Sequence, residues 1–145
     1  MPNDKSIELK MQRLRTTKSA YILEADASLA QGLDSAGMAL FCKAAELELE
    51  LAGLFRAQGD ERKTHVSIRS AGFCYSRARQ YRRAAEVLSQ VADQYPDARE
   101  WLDHNKGKED VPLASATPGL QALVDILVKK GLIQENEWAD AMAPH

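Results

Sequence analysis

Residues 65–98 read HVSIRSAGFCYSRARQYRRAAEVLSQVADQYPDA, and this stretch decides the fold. Good helix formers dominate it, and no run of β-branched residues alternates with polar ones. Arg79-Gln80-Tyr81 breaks the pattern as a tight reversal without glycine. Pro96 then closes the unit, because proline cannot continue a helix. The stretch is therefore two helices folded back on each other.

The same punctuation extends upstream. No proline falls between residues 3 and 95. A first helix is expected over 6–31, with Gly32 as its C-terminal cap and Asp34 as the N-cap of the next. A second covers 35–57, where Gln58-Gly59-Asp60 repeats that logic. The third covers 61–78 and the fourth 82–94. Asp97-Ala98-Arg99-Glu100 has capping-box spacing for a short fifth helix through Asp103. The string Glu46-Leu47-Glu48-Leu49-Glu50-Leu51 alternates like a strand. Its Ala/Leu/Glu surroundings contain no turn signal, so helix is expected, with the three glutamates on a solvated surface.

Residues 105–116 are polar, then Ala/Ser/Pro-rich, and are expected as a linker. Thr117-Pro118 starts another helix, on which Leu120, Leu123, Val124, Leu127 and Val128 share a face. Gly131 ends it, and Trp138 and Met142 mark a last short helix. The expected architecture is all-α: an antiparallel array of helical hairpins over 1–104, the linker, and a small C-terminal helical hairpin over 117–145.

Within 65–98, Gly72, Tyr75, Ala84 and Pro96 stand at the spacing of one tetratricopeptide repeat, and the stretch resembles that family. The resemblance implies that Gly72 admits the paired helix, Tyr75 fills the wedge between the two and Ala84 is the small contact. The chain departs from the family's pattern at Ile68, Ala71, Leu88 and Val91. Upstream, Ala30-Gln31-Gly32 and Ala44-Ala45-Glu46 look like a longer, degenerate version, similar to the extended hairpins of vesicle-fusion adaptors. The tail through Trp138 resembles short C-terminal oligomerisation hairpins.

Composition excludes several classes. The chain has 145 residues and a net charge of −2, which argues against a wholesale nucleic-acid coat. Two cysteines, Cys42 and Cys74, make neither a disulfide framework nor a four-thiolate metal site. Each reads as a small buried hydrophobe. No apolar stretch approaches ~20 residues, and the first ten residues lack a signal core, so a cytoplasmic protein off the membrane is expected. The three histidines, His65, His104 and His145, have no ligand spacing, and the glycines form no phosphate loop. No cofactor and no enzymatic activity are expected.

Charge is unevenly distributed. Between residues 61 and 83 seven bases face one acid, giving +6 locally. His65, Arg69, Phe73 and Arg77 recur at four-residue steps along one helical stripe. Arginine beside an aromatic is a common anchor composition. In the tetratricopeptide resemblance the first helix of each hairpin lines a peptide groove, which implies that Val66, Arg69, Phe73, Ser76 and Arg77 face it. Phe73 stands where carboxylate-clamp members carry asparagine. The expected function is a non-enzymatic adaptor or chaperone-like module that binds an acidic protein segment through Arg69, Phe73 and Arg77, with Arg62 and His65 at the rim. On the bland alternative, the stripe is neutralised by the chain's own acids, such as Glu46, Glu50 or Glu86. Two functional alternatives remain: a homo-oligomer assembled through the first helix and the C-terminal hairpin, and a regulator using the same arginines on nucleic-acid phosphates. Trp101, Leu127 and Trp138 are the candidate residues for tail docking or oligomerisation.

Overall fold

The computed structural model describes residues 4–113. The C-terminal hairpin expected over 117–145, with Leu127 and Trp138, lies outside them. The described chain is all-helical, with five helices and no strand: α1 (Asp4–Ala30), α2 (Asp34–Ala57), α3 (Glu61–Arg77), α4 (Tyr81–Ser89) and α5 (Pro96–Asn105). Each packs chiefly on its neighbours in sequence, as hairpins in a row do.

One turn design closes the first three hairpins. The second residue past each helix donates to a carbonyl three residues back, and the next residue donates to one five back. The pairs are Gly32 to Leu29 with Leu33 to Ser28, Gly59 to Arg56 with Asp60 to Phe55, and Arg79 to Ser76 with Gln80 to Tyr75. This is the Schellman closure, which needs a left-handed residue. Gly32 and Gly59 supply it at φ +78° and +75°. Arg79 adopts φ 58° without glycine's freedom, at a cost of about 1–2 kcal/mol. Its carbonyl accepts from Val111 N–H, so the residue is held by what docks on it.

Three boundaries differ from expectation. Asp34 is the first residue of α2 and not its N-cap; Leu33 takes that place because its N–H closes the preceding Schellman turn. Helix α4 ends at Ser89, not Gln94. There the Ser89 hydroxyl and the Gln90 amide both donate to Glu86 O, and Gln90 and Val91 N–H shift to carbonyls three back. Such local bonds compete with the helical ladder, and the tighter turn carries Val91 and Ala92 into the core. Finally, Tyr95 is the N-cap of α5, with Pro96 in the first turn. Asp97 is thus inside the helix, with its carboxylate committed elsewhere.

The core runs through all five helices. Tyr21, Leu40, Phe41, Tyr75, Leu88 and Val91 are buried in it. A Cβ on Gly72 would meet Leu88 at 2.4 Å, so the two helices of the 65–98 unit do approach through that glycine. Ala84 is fully buried, and the Tyr75 hydroxyl accepts from Arg83 at 3.1 Å. A satellite cluster of Met11, Leu51 and Phe55 joins the start of α1 to the end of α2.

Glu48 overturns the solvated-surface expectation for its part of α2. It is 3% exposed and receives Lys18 Nζ at 2.7 Å from α1. Glu46 and Glu50 do remain exposed, against Lys43 and Lys10.

Candidate functional site

Helix α3 owes its start to Asp60, whose carboxylate accepts from Lys63 N–H at 3.1 Å. Buried Thr64, Ser67, Ile68, Ala71, Gly72, Cys74 and Tyr75 face the core. The opposite side leaves the stripe at the surface: Arg62, Val66 and Arg77 are exposed, while His65, Arg69 and Phe73 are half-buried.

The stripe is not one contiguous patch. Arg69, Phe73 and Arg77 occupy the middle and end of α3, between α1 and α5. Arg69 reaches α5, where Nε donates to Asp97 Oδ1 at 3.2 Å and Nη2 donates to Oδ2. The same guanidinium lies over two rings, Phe73 at 5.2 Å and Tyr95 at 5.4 Å. Arg77 reaches the other way, donating to Asp26 on α1 and lying 4.3 Å over Phe41 on α2. His65 sits apart, in a surface recess of about 260 Å³ with Arg56, Gly59, Glu61 and Thr64 at the α2–α3 turn. Arg62 lies in the first turn of α3, toward that same end.

The electrostatics follow the geometry. The bidentate contact lowers the Asp97 carboxyl below the ordinary carboxylate range and raises the Arg69 guanidinium further. The acids that neutralise the stripe are therefore Asp26 and Asp97. Glu46, Glu50 and Glu86 do not serve Arg69 or Arg77. Among these pairs only side chains with substantial exposure take part, so each ion pair is worth a fraction of a kcal/mol, about 0–1.

Trp101 is engaged within the chain. Its indole N–H donates to Ser76 Oγ at 2.8 Å, and its ring stacks on Tyr81 with centroids 6.4 Å apart. This contact lays α5 against α3 and uses Ser76, which otherwise would face the same side as Arg69. Lys108 covers the other partner of that stack, 5.4 Å over Tyr81.

The described part of the 105–116 stretch is bonded to the array. Asp110 Oδ1 accepts from Arg82 N–H at 2.9 Å, Val111 N–H donates to Arg79 O at 3.1 Å, and Gln80 Nε2 donates to Val111 O at 2.8 Å. Helix α4 has no side-chain cap of its own at Gln80. Asp110, 28 residues downstream of the Arg82 N–H it accepts from, supplies it.

The thiols are poor nucleophiles. Burial, then Glu46 for Cys42 and Glu48 for Cys74, pushes both up to about 11. Among the described residues no group of three histidines, cysteines or carboxylates could hold a metal ion, and no helix is long and apolar enough to cross a membrane.

Sequence reasoning missed Asp26, Tyr95 and Asp97 as parts of this face. Comparisons with known proteins return nothing: no family model, no curated protein and no solved structure matches the chain.

Proposed function

We propose that this chain is a non-enzymatic, tetratricopeptide-like interaction module that takes an acidic protein segment along the Arg69–Phe73–Arg77 face of α3. The observation that carries the reading is Arg69 itself. Its guanidinium is oriented by Phe73 and Tyr95 and already makes a two-point contact with a carboxylate. A partner's Asp or Glu would meet an arginine fixed in a carboxylate-binding pose, which lowers the ordering cost of recognition. Asp97 and Asp26 act as stand-ins for the partner's carboxylates. Exchanging one exposed ion pair for another costs little, so affinity comes from the aromatic contact and from several exchanges together. Arg62 and His65 lie along α3 toward the α2–α3 turn, and a segment that binds the central face meets them only by running that way. A cytoplasmic setting fits two thiols, Cys74 buried and Cys42 half-buried, that are not paired in a disulfide.

The test is capture of acidic peptides or lysate proteins by wild-type, Arg69→Ala and Asp97→Asn chains. Asp97→Asn removes the internal competitor, so binding should strengthen about 3–10-fold, as expected for freeing one charge-assisted contact. Arg69→Ala should abolish it. Equal retention by all three, or weaker binding by Asp97→Asn, would sink the proposal and leave the pair as a brace between α3 and α5. Retention that disappears after nuclease treatment would instead assign the arginines to phosphates.

A further inference from the structure

Helix α1 has one side against α2 and the other open to solvent. Along the open side stand Leu9, Thr16, Ser19, Leu23, Ala27 and Ala30, at steps of seven, three, four, four and three, which keeps them on one face. Gln12 fills the step of seven. All are exposed; Leu23 is 65% and Leu9 57% accessible. None is charged. The other helices expose charge at the equivalent places: Arg82, Arg83 and Glu86 on α4, and Asp97, Arg99 and Glu100 on α5. An end helix of a stacked array ordinarily turns a polar face to water. This one presents leucines among short uncharged side chains over about 33 Å.

The charges beside that face point to what covers it. Residues 4–18 of α1 carry Lys5, Lys10, Arg13, Arg15 and Lys18 against two acids, and residues 19–30 carry Glu24 and Asp26 and no base. This polarity is the reverse of what the helix dipole favours. Helix α2 answers part of it, pairing Lys10 with Glu50 and Lys18 with Glu48. Arg13 and Glu24 flank one edge of the open face, and Arg15 and Asp26 flank the other.

We infer that the open face of α1 pairs with the same face of a second copy of this chain, antiparallel, about a two-fold axis level with Ser19 and Ala20. In that register Leu23 of one copy meets Thr16 of the other. The small Ser19 side chains let the backbones approach at the axis, and a hydroxyl, being both donor and acceptor, can bond to its own copy there. Both edges then match in charge: Arg13 lies toward Glu24 of the second copy, and Arg15 toward its Asp26, where it joins the Arg77 ion pair as a network. A strip one helix wide on each copy falls at the low end of specific interfaces, so the association is concentration-dependent. It uses none of the residues that the proposed binding face needs for contact, apart from Asp26 at its margin.

The first measurement is sedimentation equilibrium of the full chain from about 1 to 200 µM. Mass should rise from 16.1 kDa toward twice that value. Ser19→Glu/Leu23→Glu should raise the dissociation constant at least ~100-fold, since it places like charges at the axis, while helical circular dichroism stays unchanged. For orientation, oxidising a mixture of Thr16→Cys and Leu23→Cys chains should give the mixed disulfide. Leu9→Cys should not link to itself, because the two Leu9 positions sit about 30 Å apart. A chain that is monomeric throughout the range overturns the inference. So does a dimer that survives the double glutamate substitution, as one built by the tail would, or efficient self-linking of Leu9→Cys, which would mean a parallel pair.

Discussion

Gly72 and Leu88 occupy one space: a Cβ on the glycine would lie 2.4 Å from both Cγ and Cδ2 of the leucine. Leu88 is fully buried and has nowhere to retreat. Gly72→Ala gains up to ~1 kcal/mol in helix propensity and loses about 1–3 kcal/mol to overpacking, so net destabilisation is expected. Gly53 on α2 is the control, because a Cβ there meets nothing within 4 Å. Gly53→Ala should stabilise by about 0.5–1 kcal/mol. Opposite shifts of the two urea midpoints check the pair, and equal shifts would contradict the packing.

Removing the remote cap should loosen α4 selectively. Asp110→Ala takes away the carboxylate on Arg82 N–H and should cost about 0.5–2 kcal/mol. Hydrogen exchange should accelerate at the first turn of α4 and at Val111, and little in α1 and α2.

The Lys18–Glu48 pair joins α1 to α2 with the carboxylate buried. Glu48→Ala leaves Lys18 without its partner and should cost about 3–5 kcal/mol. Replacing both, Lys18→Met with Glu48→Leu, should cost far less or stabilise. A double-mutant cycle in thermal melts distinguishes a true coupling from two independent losses.

Cys42 and Cys74 should resist alkylation in the folded chain near pH 8 and react on unfolding, since burial pushes both thiols up to about 11. The same shift fixes a sign. Above pH 9 the unfolded chain loses these protons while the folded chain keeps them, so stability falls as pH rises from about 9 toward 11. Melting temperature against pH reads the slope, and Cys74→Ala should flatten it.

At the acid end the sign reverses for Asp97. Its carboxyl is lowered by Arg69, so the pair's contribution is present above the ordinary carboxylate range and is lost as pH falls through the lowered value. Because solvent reaches more than a third of both side chains, the effect is a fraction of a kcal/mol, about 0–1. Asp97→Asn should shift the acid midpoint only slightly, against the roughly 3–10-fold change expected in the proposed partner binding.

Much of the array was legible because its turns carry their own chemistry. Gly32, Gly59 and Asp60 mark helix ends through left-handed backbone or a side-chain cap, and those ends fell within two residues of expectation. The end of α4 was not legible: residues 90–94 contain no breaker, and competing bonds to Glu86 O stop the helix. Glu48 could have been found. It lies in step with Phe41, Ala44, Ala45, Leu51, Ala52 and Phe55, so the buried stripe of α2 runs through it; the local Glu-Leu alternation masked that longer period. The partners of the arginines were beyond reach, since Asp97 is 28 residues from Arg69 and Asp26 is 51 from Arg77. No local pattern selects one acid among 21 at such separations.

The carboxylate of Asp110 on α4 also orders events in time. A chain made from its N-terminus can close α1, α2 and α3 with bonds contained in the segments already emerged. Helix α4 is different: its nine residues are exposed before the residue that caps them has been added. The α3–α4 turn likewise waits for Val111 to satisfy Arg79 O and Gln80. The α3–α4 hairpin is therefore secured only after synthesis has passed it, and the interval in which a nascent chain is open to misdocking or to a waiting chaperone falls at α4.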